Sequence, residues 1–585
     1  MPTSLHGLLA WIRAHPAYAE MLDEIRGGLE QPALTLMARA RPAVVAALLG
    51  DLSTPAVIVV PSVEESRRLV GALRMWMEAP ERLLTFPEPP GLLYERVPWP
   101  PETITDRLDV LSRLFMCQAN DSGELTSPDQ KNISRACPIV VTSALALMRR
   151  TLPYRQFRRA IRRIAAGAHE SLTELTRHAT GIGYEPVSVV QVPGQLSRRG
   201  GLLDIFPPQA PQPYRLEFFG DEIETIRMFD PETQRSVGRT DNESPAFWLT
   251  PVREALPKDC ARALEAIQAL LASSPPAEFR SVLEADAESL EAQVPFPNLE
   301  FYLPYIYQEG ATLLHYLPPE ALVVAYNSNQ LANTWQSLEE EASDQRETAR
   351  NEQVLFRDAP IPYTGWDNIS DVLSRYQTLS LPGGESPLDD PASLPSEDGA
   401  PLARTAGADL VEAFGPEPHF AGKLPDALAR IRQWLHLGDQ VVIVSRQAPR
   451  MAELWQEFSP PPVYQDIATP PSAALTFVQG VSSGGWQWRG TDGVRHLLTD
   501  EELFGWNVPE PRRSTRRRAV APEQSFADFQ PGDIVVHEDY GIGIYRGLVT
   551  RSVDAIDREY LYLEYAGPGG DRTVTREALA AGEEP

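Results

Sequence analysis

The sequence predicts an α/β multidomain chain with an inserted α+β unit and a small antiparallel β unit near its C-terminal end. Three observations lead there. Short apolar runs such as Val57-Ile58-Val59-Val60 and Ile139-Val140-Val141-Thr142 are each followed by helix-forming sequence, the pattern of a parallel sheet covered on both faces. From Val192 to Val237 the pattern changes to alternating apolar and polar residues broken by glycine and proline turns. From about Gln524 onward, short strands and glycine turns recur without helices between them.

At 585 residues, several domains are expected, and 55 prolines point to long loops and linkers. A net charge of -27 argues against broad, sequence-independent nucleic-acid binding, which needs clustered Lys and Arg, so protein partners are expected. No run reaches the length of a membrane span, and the start, MPTSLHGLLAWIRAHPAYAE, reads as a short amphipathic helix rather than a secretory signal. Cys117, Cys137 and Cys260 are widely spaced, form no metal pattern and suggest a reducing, cytoplasmic setting.

Residues 1–150 alternate α and β. A first strand is expected at Ala33–Met37 and a buried one at Val57–Val60. Ser62 then caps a helix from Val63 to Glu78, with Glu65 completing a capping box and Leu69, Leu73 and Trp76 forming its apolar stripe. Leu83–Phe86 and Ile139–Thr142 are further strands, and Ser143 opens a helix from Ala144 to Arg150. Such sheets often hold nucleotides. A phosphate loop after the first strand needs glycines, a Lys and a hydroxyl, and Ala38 to Val45 supply none of them. No cofactor and no catalytic or metal-binding residue is assigned.

In residues 151–245, Ser171 caps a helix to about Thr180, and the alternating block follows. Gly200-Gly201 interrupts a strand that ends at Asp204-Ile205-Phe206 and is expected to mark a bulge or a close backbone approach. Tyr214, Leu216 and Phe218 point to one face of the next strand, and Arg215, Glu217 and Phe219 to the other. Gly220-Asp221 turns the chain into a strand from Glu222 to Phe229. Arg198, Arg199, Arg215, Arg227 and Arg235 are placed on the wet face. Two readings stand side by side: a solvated face with ordinary cross-strand pairs to Glu217 and Glu222, or a docking surface.

Residues 246–375 mix helix and strand, with an amphipathic helix at Asp259–Ala272. The aromatic run Phe301 to Tyr307 lacks interleaved cations and is read as core rather than as a base-stacking platform. Residues 376–407 read as an acidic, low-complexity linker. Residues 408–507 form a small α/β domain with a helix at Pro425–Leu437, a strand at Gln440–Ser445 and a helix from Ala448. Residues 508–523 hold the basic run Arg512–Arg518, either a solvated linker or a contact for phosphate or an acidic surface. Residues 524–585 carry antiparallel strands at Asp533–His537, Gly543–Thr550 and Arg558–Tyr565, the alternation Leu561, Leu563, Tyr565, and a turn framed by Gly541 and Gly543.

Two runs resemble known families. RRGGLLDIFPP…YRLEFFGDEIETIRMFDPETQRS resembles the segment shared by the repair subunit UvrB and bacterial transcription-repair coupling factors. The run around Gly541 to Tyr565 resembles the RNA-polymerase-interacting domain shared by coupling factors and CarD regulators. The resemblance extends over nearly the whole chain, including Tyr94-Glu95, Arg107-Leu108 and HLLTDEELFGW at His496–Trp506, although for the first four helix capping and core packing suffice. It implies a UvrB-like α/β module: domain 1a with a degenerate nucleotide site at 1–150, an inserted α+β docking domain at 151–245, and domain 1b at 246–375. Domain 3 would follow at 408–507, then a C-terminal SH3-like β-barrel of the CarD type at 524–585, incomplete at its end. It also implies docking of UvrA through Arg199, Arg215 and Phe219. RNA polymerase β-subunit binding would use strand addition around Gly541, Gly543, Tyr545, Arg551, Leu561 and Leu563. Relatives can carry an apolar residue at the place of Arg551.

Full coupling factors release stalled polymerase with an ATP-driven DNA translocase and recruit excision repair. No GxxxxGK[ST] run or paired motor carboxylates occur here. The chain is therefore expected to be a non-motor, non-enzymatic N-terminal part, meeting damaged DNA only indirectly. A CarD-like regulator with no repair role is the alternative.

Overall fold

A computed structural model describes residues 3–28, 33–121, 137–236, 246–272, 275, 277–351, 355, 359–383, 408–455, 462–490, 493–506, 532–537, 541–553, 556–566 and 573–579. The chain divides into two compact units. The first comprises Met1–Ile164, Thr173–Tyr184 and Phe247–Arg512; the second comprises Ala165–Leu172, Glu185–Ala246 and Arg513–Pro585.

The first unit is built on a five-stranded parallel sheet in the order Gln377–Leu381, Leu322–Tyr326, Ala56–Val60, Ile139–Ser143, Leu83–Phe86. The central strand is buried along its whole length, which fits its uninterrupted apolar sequence. Three of the four strands read from residues 1–150 are present, and residues beyond 246 add the other two. Gln377–Leu381 falls inside the stretch expected to be acidic linker, so the ordered body continues past position 375. The rest of that linker, residues 384–407, and the basic run Arg512–Arg518 lie outside the described residues. The strand expected at Ala33–Met37 reduces to a single bridge, Ala33 to Ser380, because the chain turns directly into the helix Arg41–Leu52.

The Ser62 side chain accepts from the Glu65 amide, as the capping pattern predicts, and its helix runs from Val63 to Trp76. The reciprocal half of the box is replaced: the Glu65 carboxylate accepts from the side-chain amide of Asn327. Within the aromatic run, Tyr302 and Tyr307 are buried, which fits core.

A second sheet in this unit orders Phe414–Gly415, Trp486–Gly490, Gly493–Thr499, Gln440–Ser445, Leu475–Gln479, Val463–Tyr464. It does not stand apart from the first. Phe414, Trp486, Trp488 and Leu497 share one apolar core with Leu5, Trp11, Tyr18 and Trp76, and the Trp76 and Trp486 rings lie 6.0 Å apart. The N-terminal segment stitches the two together: Gly7 donates to the Ile467 carbonyl (2.9 Å) and Ile467 to that of Ser4 (2.8 Å). A Cβ at Gly7 would meet the Thr469 backbone nitrogen at 2.6 Å, so this close approach needs glycine.

Arg107 and Glu254 form an ion pair with both side chains 0% exposed. Thr151 donates a further hydrogen bond to Glu254, and the guanidinium lies 3.9 Å from the Phe86 ring centroid. The pair joins the helix Pro101–Asp121 to the segment preceding Pro257, which gives Arg107 a structural role. Among the described residues, no helix is long and apolar enough to cross a membrane.

Candidate docking surfaces

In the second unit, a five-stranded sheet orders Glu185–Pro186, Gln195–Arg199, Leu202–Ile205, Tyr214–Phe219, Glu222–Met228. The last four strands form an antiparallel meander. Gly200-Gly201 is not a bulge: Arg199 pairs with Leu202, so the glycines are a two-residue hairpin turn, with Gly200 at φ +59°. Gly220-Asp221 forms the matching turn, with Gly220 at φ +64°. Antiparallel registration puts both turns at the same end of the sheet, where Phe218 donates to the Gly201 carbonyl at 2.9 Å.

The register decides which residues share a face. Arg199, Leu202 and Glu217 stand opposite one another, as do Ser197, Asp204, Arg215 and Arg227. Phe219 follows Arg215 and Glu217 at even offsets, so Arg199, Arg215 and Phe219 fall on one face. The other face holds the buried Leu196, Leu203, Ile205, Leu216, Ile223 and Ile226. Arg198 is exposed but lies on that second face by register, and Arg235 lies past the last strand, so neither belongs with the other arginines. The irregularity in this sheet is elsewhere: Phe218 pairs with Ile223 and Glu217 with Thr225, which leaves Glu224 as an extra residue. That bulge is why Ile223 and Ile226, an odd offset apart, both point into the core.

The three residues differ in their surroundings. Phe219 is 79% exposed at the rim of the turn, with Leu202 partly exposed on the same face. Arg199 is exposed and donates to the Ser188 carbonyl. Arg215 is already engaged: Nε and Nη2 donate to the two carboxylate oxygens of Asp204 at 2.7 and 2.8 Å, and the guanidinium lies 4.6 Å from the Phe229 ring centroid. Asp204 is buried, and its hydrogen bond holds the Arg215 guanidinium above its ordinary range. The cation of Arg215 thus balances a buried carboxylate and lies over an aromatic ring. Asp204 was the residue the sequence reading missed; register alone could have found it, since it stands directly opposite Arg215.

The C-terminal strands form a second antiparallel sheet, Ile534–His537, Gly541–Val553, Ile556–Ala566, Thr573–Leu579, in chain order. Gly541 and Gly543 pair with His537 and Val535, and Arg551 pairs with Arg558. Leu561 and Leu563 are on an inner strand with backbone partners on both sides. The side chains of Arg551, Leu561 and Leu563 lie outside the described residues. Tyr545 is only 4% exposed, so its side chain packs within this unit. Its strand carries a bulge at Arg546, whose side chain pairs with Glu564. Within this sheet the outer strands are Ile534–His537 and Thr573–Leu579, and Ile534 is 73% exposed.

At the start of the helix Arg41–Leu52, Arg41 donates to the Leu36 carbonyl (2.9 Å) and to Asn327 (2.6 Å). Arg39 pairs with Glu501 and Glu502 at 2.7 and 2.9 Å. Burial lowers the pKa of Arg41 and raises that of Glu65. The described residues contain no group of three His, Cys, Asp or Glu suited to a metal ion.

Comparison with known proteins fits both sheets. Residues 163–244 match the UvrB interaction domain, and residues 529–575 match the CarD-like/TRCF RID domain. The chain resembles transcription-repair-coupling factors. That of Myxococcus xanthus is 31% identical over 96% of this chain and 46% of the relative, and that of Bacillus subtilis is 23% identical with the same coverage. The coupling factor of Haemophilus influenzae is 25% identical over 87% of this chain and 41% of its own length. The chain thus spans about half the length of the curated coupling factors it matches, as a mixed α/β multidomain protein with UvrB-like and CarD-like parts.

Proposed function

We propose that this chain is the docking portion of a coupling factor, holding the damage-recognition protein UvrA through the Gln195–Met228 sheet and the RNA polymerase β subunit through the C-terminal strands. The exposed Phe219, on one face with Arg199 and Arg215 inside the segment similar to the UvrB interaction domain, carries the reading. An exposed aromatic beside guanidinium groups has the composition of a binding hot spot. Phe219 and Arg199 are assigned direct contact with UvrA. Arg215 is assigned to the same surface, with its guanidinium shared with Asp204.

On this reading residues 1–150 and 246–383 are the UvrB-like body, 408–507 the third domain, and 524–585 an SH3-like barrel of the CarD type. Strand addition takes place on an outer strand, with Ile534–His537 favoured by the exposure of Ile534, while Gly541, Gly543, Arg551, Leu561 and Leu563 shape the sheet behind it. The chain acts in the cytoplasm, as part of the machinery that releases polymerase stalled at lesions with ATP and recruits excision repair. It needs no cofactor, performs no hydrolysis itself, and meets damaged DNA only through the ATP-driven part of a coupling factor. A CarD-like regulator without a repair role leaves the match at 163–244 unexplained. Binding of the intact chain to UvrA and to the β subunit tests both halves. A proline placed within Ile534–His537 removes a backbone donor and should abolish β binding while sparing UvrA binding. Unchanged β binding by a folded variant would refute strand addition at that edge.

A further inference from the structure

Two of the three cysteines are close in space. Cys117 is buried on the helix Pro101–Asp121, and Cys137 is partly exposed just before the strand Ile139–Ser143. Their sulfurs lie 3.8 Å apart, and they are not joined. A disulfide requires about 2.05 Å, so closure calls for the two sulfurs to approach by about 1.8 Å.

A cation sits beside them. Arg82 donates from Nε to the Cys137 carbonyl at 2.8 Å. Its Nη2 is buried and has no hydrogen-bond partner among the described residues. Burial lowers the pKa of this guanidinium, and the charges of Cys137, Glu81 and Cys117 oppose that lowering. A half-buried guanidinium with an unsatisfied N–H, held at the Cys137 backbone and interacting electrostatically with both cysteines, favours a thiolate, the nucleophilic form of cysteine. Cys260 shows the contrasting environment: burial pushes its thiol up to about 12, and it donates to the Leu256 carbonyl at 3.2 Å.

We propose that Cys117 and Cys137 are a redox pair that closes to a reversible disulfide on exposure to peroxide, with Arg82 stabilising the initiating thiolate. Cys137, the less buried residue of the two, attacks one peroxide oxygen through its sulfur. The O–O bond breaks, leaving a sulfenic acid on Cys137 and releasing water once the departing hydroxide is protonated. Cys117 attacks that sulfur, the S–O bond breaks, and the oxygen leaves as a second water. In sum, two thiols and one hydrogen peroxide give one disulfide and two waters. A dithiol such as dithiothreitol reverses the step by exchange. The bond would fasten the end of a long helix to the start of an inner strand of the parallel sheet.

The test uses the intact purified chain, hydrogen peroxide and mass mapping without reductant. The expected result is a linked peptide pair containing Cys117 and Cys137, lighter by two hydrogens, restored by dithiothreitol, with Cys260 still a thiol. Cys117→Ser should halt the reaction at a sulfenic acid on Cys137, trapped by dimedone. Arg82→Gln, checked by circular dichroism, should oxidise about tenfold more slowly, as expected for a shift of about one unit in thiolate formation. Arg82→Lys should restore much of the rate. Sulfinic acid at either cysteine with no linked peptide overturns the pair, and equal rates for wild type and a folded Arg82→Gln overturn the role of Arg82.

Discussion

Replacing Phe219 by Ala separates docking from folding. The residue is 79% exposed, so roughly a fifth of its surface is buried in the chain itself. Taking about 200 Å² for a phenylalanine and about 25 cal/mol per Å², folding draws at most about 1 kcal/mol from this ring. A core phenylalanine would cost about 3–5 kcal/mol on the same substitution. The remaining surface, about 160 Å², is available to a partner and sets a ceiling of about 4 kcal/mol on binding. A central anchor should realise about 2 kcal/mol of that, close to a thirtyfold rise in Kd for UvrA. Melting temperature and UvrA affinity by calorimetry, measured on the intact chain, read the two quantities separately. A folded Phe219→Ala variant with unchanged UvrA affinity would refute the anchor assignment. A large drop in melting temperature would show instead that the ring is part of the core.

Other substitutions follow from the same geometry. Arg215→Ala strands the buried Asp204 carboxylate and should cost about 2–3 kcal/mol in thermal or denaturant unfolding; the Asp204→Ala, Arg215→Ala double variant should lose less than the sum of the single losses. Full additivity would show that the two do not act as a pair. Glu254→Ala leaves Arg107 uncompensated at 0% exposure and should cost about 3–5 kcal/mol, read as a lower denaturant midpoint; a loss under about 1 kcal/mol would contradict the ion-pair reading. His178 is pulled down to about 4 by burial, so the unfolded chain binds more protons than the folded one between that value and the ordinary pKa near 6.5. Stability should therefore fall as pH drops from about 6.5 toward 5, and His178→Gln should flatten that slope; an unaltered slope counts against it.

What the sequence revealed, and what it hid, divides along sequence separation. Ser62 and its helix, and the strand Gln440–Ser445, were readable because caps and apolar runs are local signals. The glycine pair at 200–201 was readable as a break but not as a turn, because a bulge and a two-residue hairpin call for the same permissive backbone. Arg215 was visible as a cation on a strand face, yet its partner Asp204 appears only once the register is known. The extra residue at Glu224 could not be inferred from alternation, since bulges break the period that alternation assumes. Arg107 and Glu254, and the tryptophans that fuse the two sheets of the first unit, are joined across more than a hundred positions, beyond the reach of any local pattern.

The start of the helix Arg41–Leu52 is ordered by its own side chains. In phosphate-binding loops the amides at a helix start face the ligand, and glycines let the backbone approach it. Here Pro42 occupies the first turn and contributes no amide donor. The Arg41 guanidinium instead ties the Leu36 carbonyl to Asn327, which in turn donates to Glu65 on the neighbouring helix. Arg39 fixes the preceding turn to Glu501 and Glu502 of the second sheet's capped helix. A phosphate would have to displace these links and would find no lysine in Ala38–Val45 to neutralise it. The Arg39 pairs also tie the first sheet's turn to the helix that follows the second sheet, so the side chains that fill this position contribute to joining the two sheets of the first unit.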